Sequence, residues 1–180
     1  AGVGIRSDHE CVDIEEAIEK MQQGQWIMIR EGTAAKNLEA LVNLCSPQYY
    51  QRCMFVTDDK HPGDLVKKGH MDYIIRKAVA LGADPIIAIK MASWNAAQYF
   101  GLKDRGAIAP GYRADLVVFD NLLDFNVQEV WKDGNHWNTN FSEKNFQKKN
   151  IMQCFIPSIC RNCAKKTLKV KSTGAYGEGY

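Results

Sequence analysis

The sequence predicts an α/β fold assembled from successive β/α units, and three observations carry that expectation. Trp26-Ile27-Met28-Ile29 is a short unbroken apolar run, the pattern of a parallel strand buried on both faces. A second such run, Arg52-Cys53-Met54-Phe55-Val56, follows after a stretch of helical spacing. Two polar clusters sit where strands run out: Ser7-Asp8-His9-Glu10 after the opening Ala1 to Arg6, and Thr57-Asp58-Asp59-Lys60-His61-Pro62 after Val56. That is the rhythm of a barrel whose functional groups collect at the C-terminal ends of its strands.

The elements follow in order. Asp13 reads as an N-cap with Glu16 three residues on, and Ile14, Ala17, Ile18 and Met21 repeat at helical spacing until Gly24. The strand at Trp26 ends in Arg30-Glu31-Gly32-Thr33, and Lys36 to Leu44 predicts a helix with Leu38, Leu41 and Val42 inward. Arg52 to Thr57 is the next strand, Gly63 to Lys68 a short helical turn, and Met71 to Leu81 a helix burying Ile74, Ile75, Ala78 and Leu81. Pro85 opens a longer helix reaching about Phe100, with a small-residue face of Ala88, Met91, Ala92, Asn95 and Ala96. After the turn Gly106 to Gly111, Ala114 to Asp120 and Val127 to Lys132 read as partnered strands, the second followed by the turn Asp133-Gly134. From about Asn135 the pattern weakens, with Ile151 to Ile159 the one apolar stretch.

Composition excludes several classes. A chain of 180 residues with 46% apolar content can bury a core, and a net charge of +2 gives no strong field. Its lysines thicken only toward the C-terminus, without an aromatic recognition motif, so no nucleic-acid partner is expected. No apolar run approaches the roughly 20 residues of a membrane span and no signal peptide opens the chain, so a cytoplasmic protein without a membrane partner is expected. The start at alanine, directly in a glycine-spaced strand, reads as an interior piece of something longer. Cys11, Cys45 and Cys53 fit reduced small hydrophobes. Cys160-Arg161-Asn162-Cys163 with Cys154 upstream suggests a zinc-binding module, although no fourth ligand follows at a familiar spacing and ordinary thiols are the simpler reading.

A metal that activates water needs neutral imidazoles and ionised carboxylates, with one coordination position open. His9 and Asp58 supply one of each, at strand ends. Alone, a histidine after a strand is more often a hydrogen-bonded loop residue, and Asp before Pro62 an Asx turn or cap; two such termini in nearby units favour a site. If Asp58 and Asp59 close a strand they point oppositely, one to metal and the attacking water's proton, the other to substrate. Glu10, Arg30, Glu31 and Lys36 are further polar groups at the same rim, each alone readable as a solvated charge. His61 before Pro62 shapes its loop, and His70 and His136 read as surface residues. No phosphate-binding loop, dinucleotide fingerprint or serine elbow is present in the sequence, which favours hydrolysis by activated water.

Four segments, Gly4 to Glu10, Ile29 to Leu38, Thr57 to Pro62 and Gly106 to Asp115, closely resemble the bacterial adenine deaminases of the amidohydrolase superfamily, over about residues 1 to 134. The resemblance implies part of a metal-dependent (β/α)8 barrel, about strands six to eight, in residues 1–105. It implies a return into a small β-sandwich in 106–134, and leaves 135–180 as a poorly defined tail. It implies hydrolysis of adenine to hypoxanthine and ammonia, within purine salvage. His9 falls at the histidine ligand after the sixth strand. Asp58 falls at the aspartate after the eighth, as ligand and general base. Asp59 is implied to act in catalysis by holding the purine, with Glu10, Arg30, Glu31 and Lys36 as substrate-binding candidates. The implied cofactor is a two-metal centre of manganese or iron whose other ligands lie upstream, in a protein that is a homo-oligomer when full length. Another amidohydrolase acting on a cyclic amide or a different nucleobase is the alternative substrate reading. The fragment alone is expected to be inactive and poorly soluble.

Overall fold

The computed structural model describes residues 4–137; the apolar stretch at 151–159, the C-terminal lysines and the candidate zinc ligands Cys154, Cys160 and Cys163 lie outside them. Strands β1 (Ser7–Asp8), β2 (Trp26–Arg30) and β3 (Cys53–Val56) form a parallel sheet in the order β1-β2-β3, with Ser7 opposite Trp26 and Arg30 opposite Val56. Parallel neighbours need crossovers. Helix α1 (Ile14–Gln22) provides the first, and α2 (Leu38–Leu41) with 3-10 turns at Val42–Leu44 and Tyr50–Arg52 provides the second.

Strand alternation divides the sheet into two faces. Ile27, Ile29, Cys53 and Phe55 join Ala17, Leu38 and Leu41 in a core completed by Ile74 and Ala78 of α4 (Met71–Ala80) and Ile87, Ala88 and Met91 of α5 (Pro85–Ala92). Each fully buried aliphatic or aromatic side chain there contributes about 1.5–3 kcal/mol of transfer free energy. Trp26, Met28 and Arg30 alternate with them toward the opposite face and are only half-buried. The sequence therefore predicts the α/β class correctly, while among the described residues the three parallel strands remain an open sheet.

Local chemistry sets the boundaries. Asp13 caps α1 by accepting the Glu16 N–H at 2.8 Å, and Glu16 turns back to the Val12 N–H at 3.3 Å. His61, not an aspartate, caps α3 (Pro62–Lys68): its Nδ1 accepts the Gly63 N–H at 3.1 Å, and Pro62 fills the first helical position. The expected strand before Ser7 instead occupies Ser7–Asp8, inside the polar cluster. The helix expected over 36–44 is α2 over Leu38–Leu41 followed by the 3-10 turn Val42–Leu44, and the Asn37 side chain bonds to strand ends without capping it. The single helix expected from Pro85 to Phe100 breaks at Ser93, whose hydroxyl donates to the Ile89 carbonyl at 2.6 Å, leaving α5 and α6 (Trp94–Tyr99). Asn95, expected on a packing face, is buried and donates to the Tyr50 and Cys53 carbonyls at 2.6 and 2.7 Å, satisfying the chain where it enters β3.

A second, antiparallel sheet runs β4 (Leu116–Phe119), β5 (Val127–Lys132), β6 (Asn135–Trp137). Strand β6 lies beyond the boundary where the sequence pattern weakens. Asp133 (φ 51°) and Gly134 (φ 76°) make the two-residue hairpin turn that demands left-handed backbone at both positions. Arg113 pairs with Asp104 at 3.1 Å and Asp133 at 2.8 Å, joining the turn region to this hairpin. No helix among the described residues is long and apolar enough to cross a membrane. Cys11, Cys45 and Cys53 are free and buried, and burial pushes each thiol up to about 12, so none is a reactive thiolate.

The outer flanks of β1 and β3 carry no strand partner in this sheet, and Ile5, Val66, Phe100, Ile108 and Leu123 are more than half exposed. The isolated chain is expected to self-associate with rising concentration in size-exclusion chromatography. A monodisperse monomer with one sharp unfolding transition would contradict this.

Candidate active site

The C-terminal ends of the three parallel strands place the predicted residues along one rim, in two groups. The first is a continuous line of polar contacts. His9 Nε2 lies 3.1 Å from Glu10 Oε1, and both Glu10 oxygens accept from the Arg30 guanidinium, at 2.8 and 2.7 Å. The same guanidinium reaches Asp58 Oδ2 at 3.4 Å. The bidentate bond from Arg30 holds the Glu10 carboxyl below the usual carboxylate range, and Arg30 is raised in turn. Asp58 sits in the turn after β3 with φ 47°, a left-handed conformation that a non-glycine residue rarely adopts. His9 is 47% and Glu10 63% exposed at the side chain.

Asp59 departs from Asp58 through that left-handed turn, not through strand alternation. Its carboxylate accepts the N–H groups of Thr33 (2.9 Å), Ala34 (3.0 Å) and Ala35 (3.2 and 3.3 Å), and these donors, led by Ala34, lower its pKa. Glu31 is 1% exposed and belongs to the helix side of the sheet: Oε1 accepts from Lys77 of α4 at 3.0 Å, while Oε2 is buried without a partner. Lys36 forms an antiparallel bridge with Glu31, and both line a cleft of about 400 Å³ shared with Asn37, Glu39, Ala40 and Lys77. The rim thus gathers His9, Glu10, Arg30 and Asp58, turns Asp59 into the neighbouring loop, and places Glu31 beneath the surface.

Three residues without a role in the sequence reading prove to organise this rim. Asn37, buried, accepts the Arg30 N–H at 2.7 Å and donates to the His9 and Cys11 carbonyls at 3.2 and 2.9 Å. Lys60 donates to the Glu31 carbonyl at 3.3 Å and stands over the Tyr73 ring at 4.4 Å; burial lowers its pKa against the opposing charge of Glu31. Lys77 neutralises Glu31. An asparagine just before an apolar helix signals a cap, which is why its actual partners escape a local reading.

The donor types on the rim fit a divalent transition metal: an exposed imidazole and a carboxylate at the ends of strands in one sheet. Their number is two, short of the four or more that such an ion takes. Among the described residues, the group of ligand-type atoms that does cluster is Asp8, Cys11 and Glu16, on the α1 side. Lys20 Nζ already fills it, 2.5 Å from both Asp8 Oδ2 and Glu16 Oε1. Burial works to raise the Asp8 pKa, but the bonds from Lys20, Cys11 and the Glu10 N–H prevail and lower it from 3.8 to about 2.

Two outcomes follow. Asn37→Ala leaves one amide and two carbonyls unpaired and is expected to lower unfolding free energy by about 1–3 kcal/mol, measured by urea denaturation. Because the folded-state pKa of Asp8 is depressed, its contribution is present above the unfolded value and lost as pH falls through the folded one. The stability gap to Asp8→Asn, about 1–2 kcal/mol at pH 6, is expected to close between about pH 4 and pH 2.

The chain is 53% identical over 131 residues to an adenine deaminase of Desulfatibacillum aliphaticivorans, covering 73% of this chain and 23% of that protein. It is 50% identical over 129 residues to an adenine deaminase of Kosmotoga olearia, covering 72% and 22%. The chain thus spans less than a quarter of the length of these curated relatives. Among solved structures, the fold resembles a beta-aspartyl dipeptidase from Fervidobacterium islandicum AW-1 (21% identity, 71% of this chain, 38% of that chain, TM-score 0.54). It also resembles an enamidase described as a member of the amidohydrolase superfamily (19%, 73%, 40%, TM-score 0.54). The model of the amidohydrolase family matches residues 5–137, nearly all of the described chain, and this protein belongs to that family.

Proposed function

We propose that this chain is the C-terminal portion, about strands six to eight, of a metal-dependent (β/α)8 barrel, and that the protein containing it is an adenine deaminase. The observation that carries the reading is the rim line His9, Glu10, Arg30, Asp58, built at the strand ends. Parallel order β1-β2-β3 with helical crossovers supports placement in such a barrel, and the β4-β5-β6 sheet supports a return toward a β-sandwich in 106–134. The overall reaction is adenine plus water giving hypoxanthine plus ammonia, in purine salvage.

His9 and Asp58 would hold the metal, manganese or iron, with the remaining ligands of a two-metal centre supplied from upstream of Ala1. A metal held there would lower the pKa of a bound water, the chemistry needed for attack at the amino-bearing carbon at neutral pH. Asp58 accepts the proton from the attacking water at a carboxylate oxygen. Arg30 holds that carboxylate and Glu10 at fixed positions, so neither reorganises during the reaction. Arg30 and Glu10 are the groups best placed to meet the purine, and Lys36 is the further cation near the rim. Glu31 contributes from below, through Lys77. A cytoplasmic homo-oligomer is the proposed setting, with adenine as partner and neither nucleic acid nor membrane.

The chain joined to its native upstream region, supplied with manganese, is expected to convert adenine to hypoxanthine in an ultraviolet absorbance assay. Asp58→Asn is expected to reduce kcat by at least about a thousandfold, since ligand and proton acceptor are lost together. Chelation should abolish turnover and manganese restore it. Absent adenine turnover, with hydrolysis of cytosine, guanine or a hydantoin instead, would replace the substrate and keep the family.

A further inference from the structure

We propose that Asp59 is a positioning residue: its carboxylate latches the loop after β2 to the turn after β3 and thereby fixes Asp58. This rests on the deaminase reading for its catalytic consequence, although the latch itself does not.

The geometry leaves Asp59 little else to do. An ionised carboxylate offers about four acceptor sites, and three backbone donors, Thr33, Ala34 and an Ala35 N–H shared between the two oxygens, converge on it. A purine donor would have to displace backbone amides that have no other partner in the loop. The loop is shaped for this carboxylate: Gly32 N–H bonds to the Ala35 carbonyl at 2.9 Å, closing a turn whose three following amides converge on one anion. Gly32 is needed for space. A Cβ there would stand 1.8 Å from Asp59 Oδ1 and 2.8 Å from the Ala35 carbonyl oxygen.

The latch has a second fastening. Thr33 Oγ1 donates to Asp64 Oδ2 at 2.8 Å and accepts the His61 N–H at 2.8 Å, so the loop after β2 is tied to the segment after β3 on both sides of Lys60. Asp58 lies immediately before the first fastening, in its left-handed conformation. Such a conformation persists only where neighbouring bonds over-determine it. Releasing Asp59 lets Asp58 relax toward ordinary backbone angles, which swings its carboxylate away from Arg30.

The test compares Asp59→Asn and Gly32→Ala in the chain joined to its native upstream region, after a thermal transition has confirmed that each folds. Peptide-resolved hydrogen exchange should show the amides at 33–35 losing protection about tenfold or more in both variants. Manganese affinity by calorimetry should weaken in both. With adenine, kcat should fall about ten- to a hundredfold from misplacement of Asp58, while KM changes by less than about threefold. The double variant should be no worse than Gly32→Ala alone, because one latch is being broken twice. A large rise in KM with protected amides, unchanged metal affinity and intact kcat would overturn the proposal in favour of direct purine contact. Lost protection with unchanged metal affinity would overturn the link to Asp58. If the unaltered enzyme turns over no adenine, the deaminase reading fails separately, and exchange together with metal affinity still decides the latch.

Discussion

Where a parallel strand ends, its last N–H and C=O groups lose their ladder partners, and at the ends of β1 and β2 that shortfall is met by one side chain. Asn37 accepts from Arg30 and donates to His9 and Cys11, so the exits of two strands and the entry to α2 are fixed relative to one another. Only an amide both accepts and donates in this way at one place; aspartate would set a carboxylate against two carbonyls. The positions of His9 and Arg30 therefore depend on a buried side chain. Asn95 does the same at the entry to β3, where two carbonyls converge on its amide nitrogen. Both are polar groups whose burial is tolerated because their partners are backbone atoms already committed to strand ends.

Strand alternation decides the opposite fates of Arg30 and Glu31. Arg30 continues the face of Trp26 and Met28 and emerges beside Glu10 and Asp58. Glu31 continues the face of Ile27 and Ile29 and meets α4, where a carboxylate survives burial only with Lys77 as its partner. The Glu31–Lys77 pair is incompletely satisfied, since Glu31 Oε2 is buried without a hydrogen bond. Replacing such a pair by apolar residues often raises stability. What the pair secures is register: Lys77 on Glu31 and Lys60 on its carbonyl pull α4 and the post-β3 turn onto the end of β2.

Much of this architecture is legible in the sequence because it follows from period and local chemistry. The apolar runs at 26–29 and 52–56, the Asp13 cap and the Asp133-Gly134 turn each depend on neighbours within a few residues. The clustering of His9, Glu10, Arg30 and Asp58 spans 20 to 28 positions and is legible only because adjacent parallel strands bring their C-terminal ends to one rim. What escapes a reading of the sequence depends on distant partners. Asn37 meets residues 26 and 28 positions away, Lys77 meets Glu31 across 46, and Asp59 meets a loop 24 to 26 residues upstream. No local pattern separates an asparagine that caps a helix from one that ties strand ends, nor an aspartate closing a strand from one entering a left-handed turn. The break at Ser93 belongs to the same class, since a serine within a helical pattern gives no sign of whether its hydroxyl will take the carbonyl four residues back.

Among the described residues several cations each hold two carboxylates, Arg113 and Lys132 near the hairpin among them, and the two cases near the strand ends differ in what they leave free. Lys20 stands between Asp8 and Glu16, and Arg30 stands between Glu10 and Asp58; in each case a side-chain cation holds two carboxylates together. At the first, the ammonium is within 2.5 Å of both oxygens and Cys11 closes the third side with its thiol donating to Asp8, so the charge is matched and nothing is left to coordinate. At the second, the reach to Asp58 lengthens to 3.4 Å, and an imidazole stands beside the exposed Glu10. A guanidinium cannot shed its proton and cannot act as a ligand, so it orients the carboxylates without competing for a metal's coordination sphere. Of the two clusters, only the one built on Arg30 combines an accessible imidazole with a loosely held carboxylate. That pairing supports the proposed placement of water activation at the strand-end rim, while the Lys20 bonds tie α1 to Asp8 of β1.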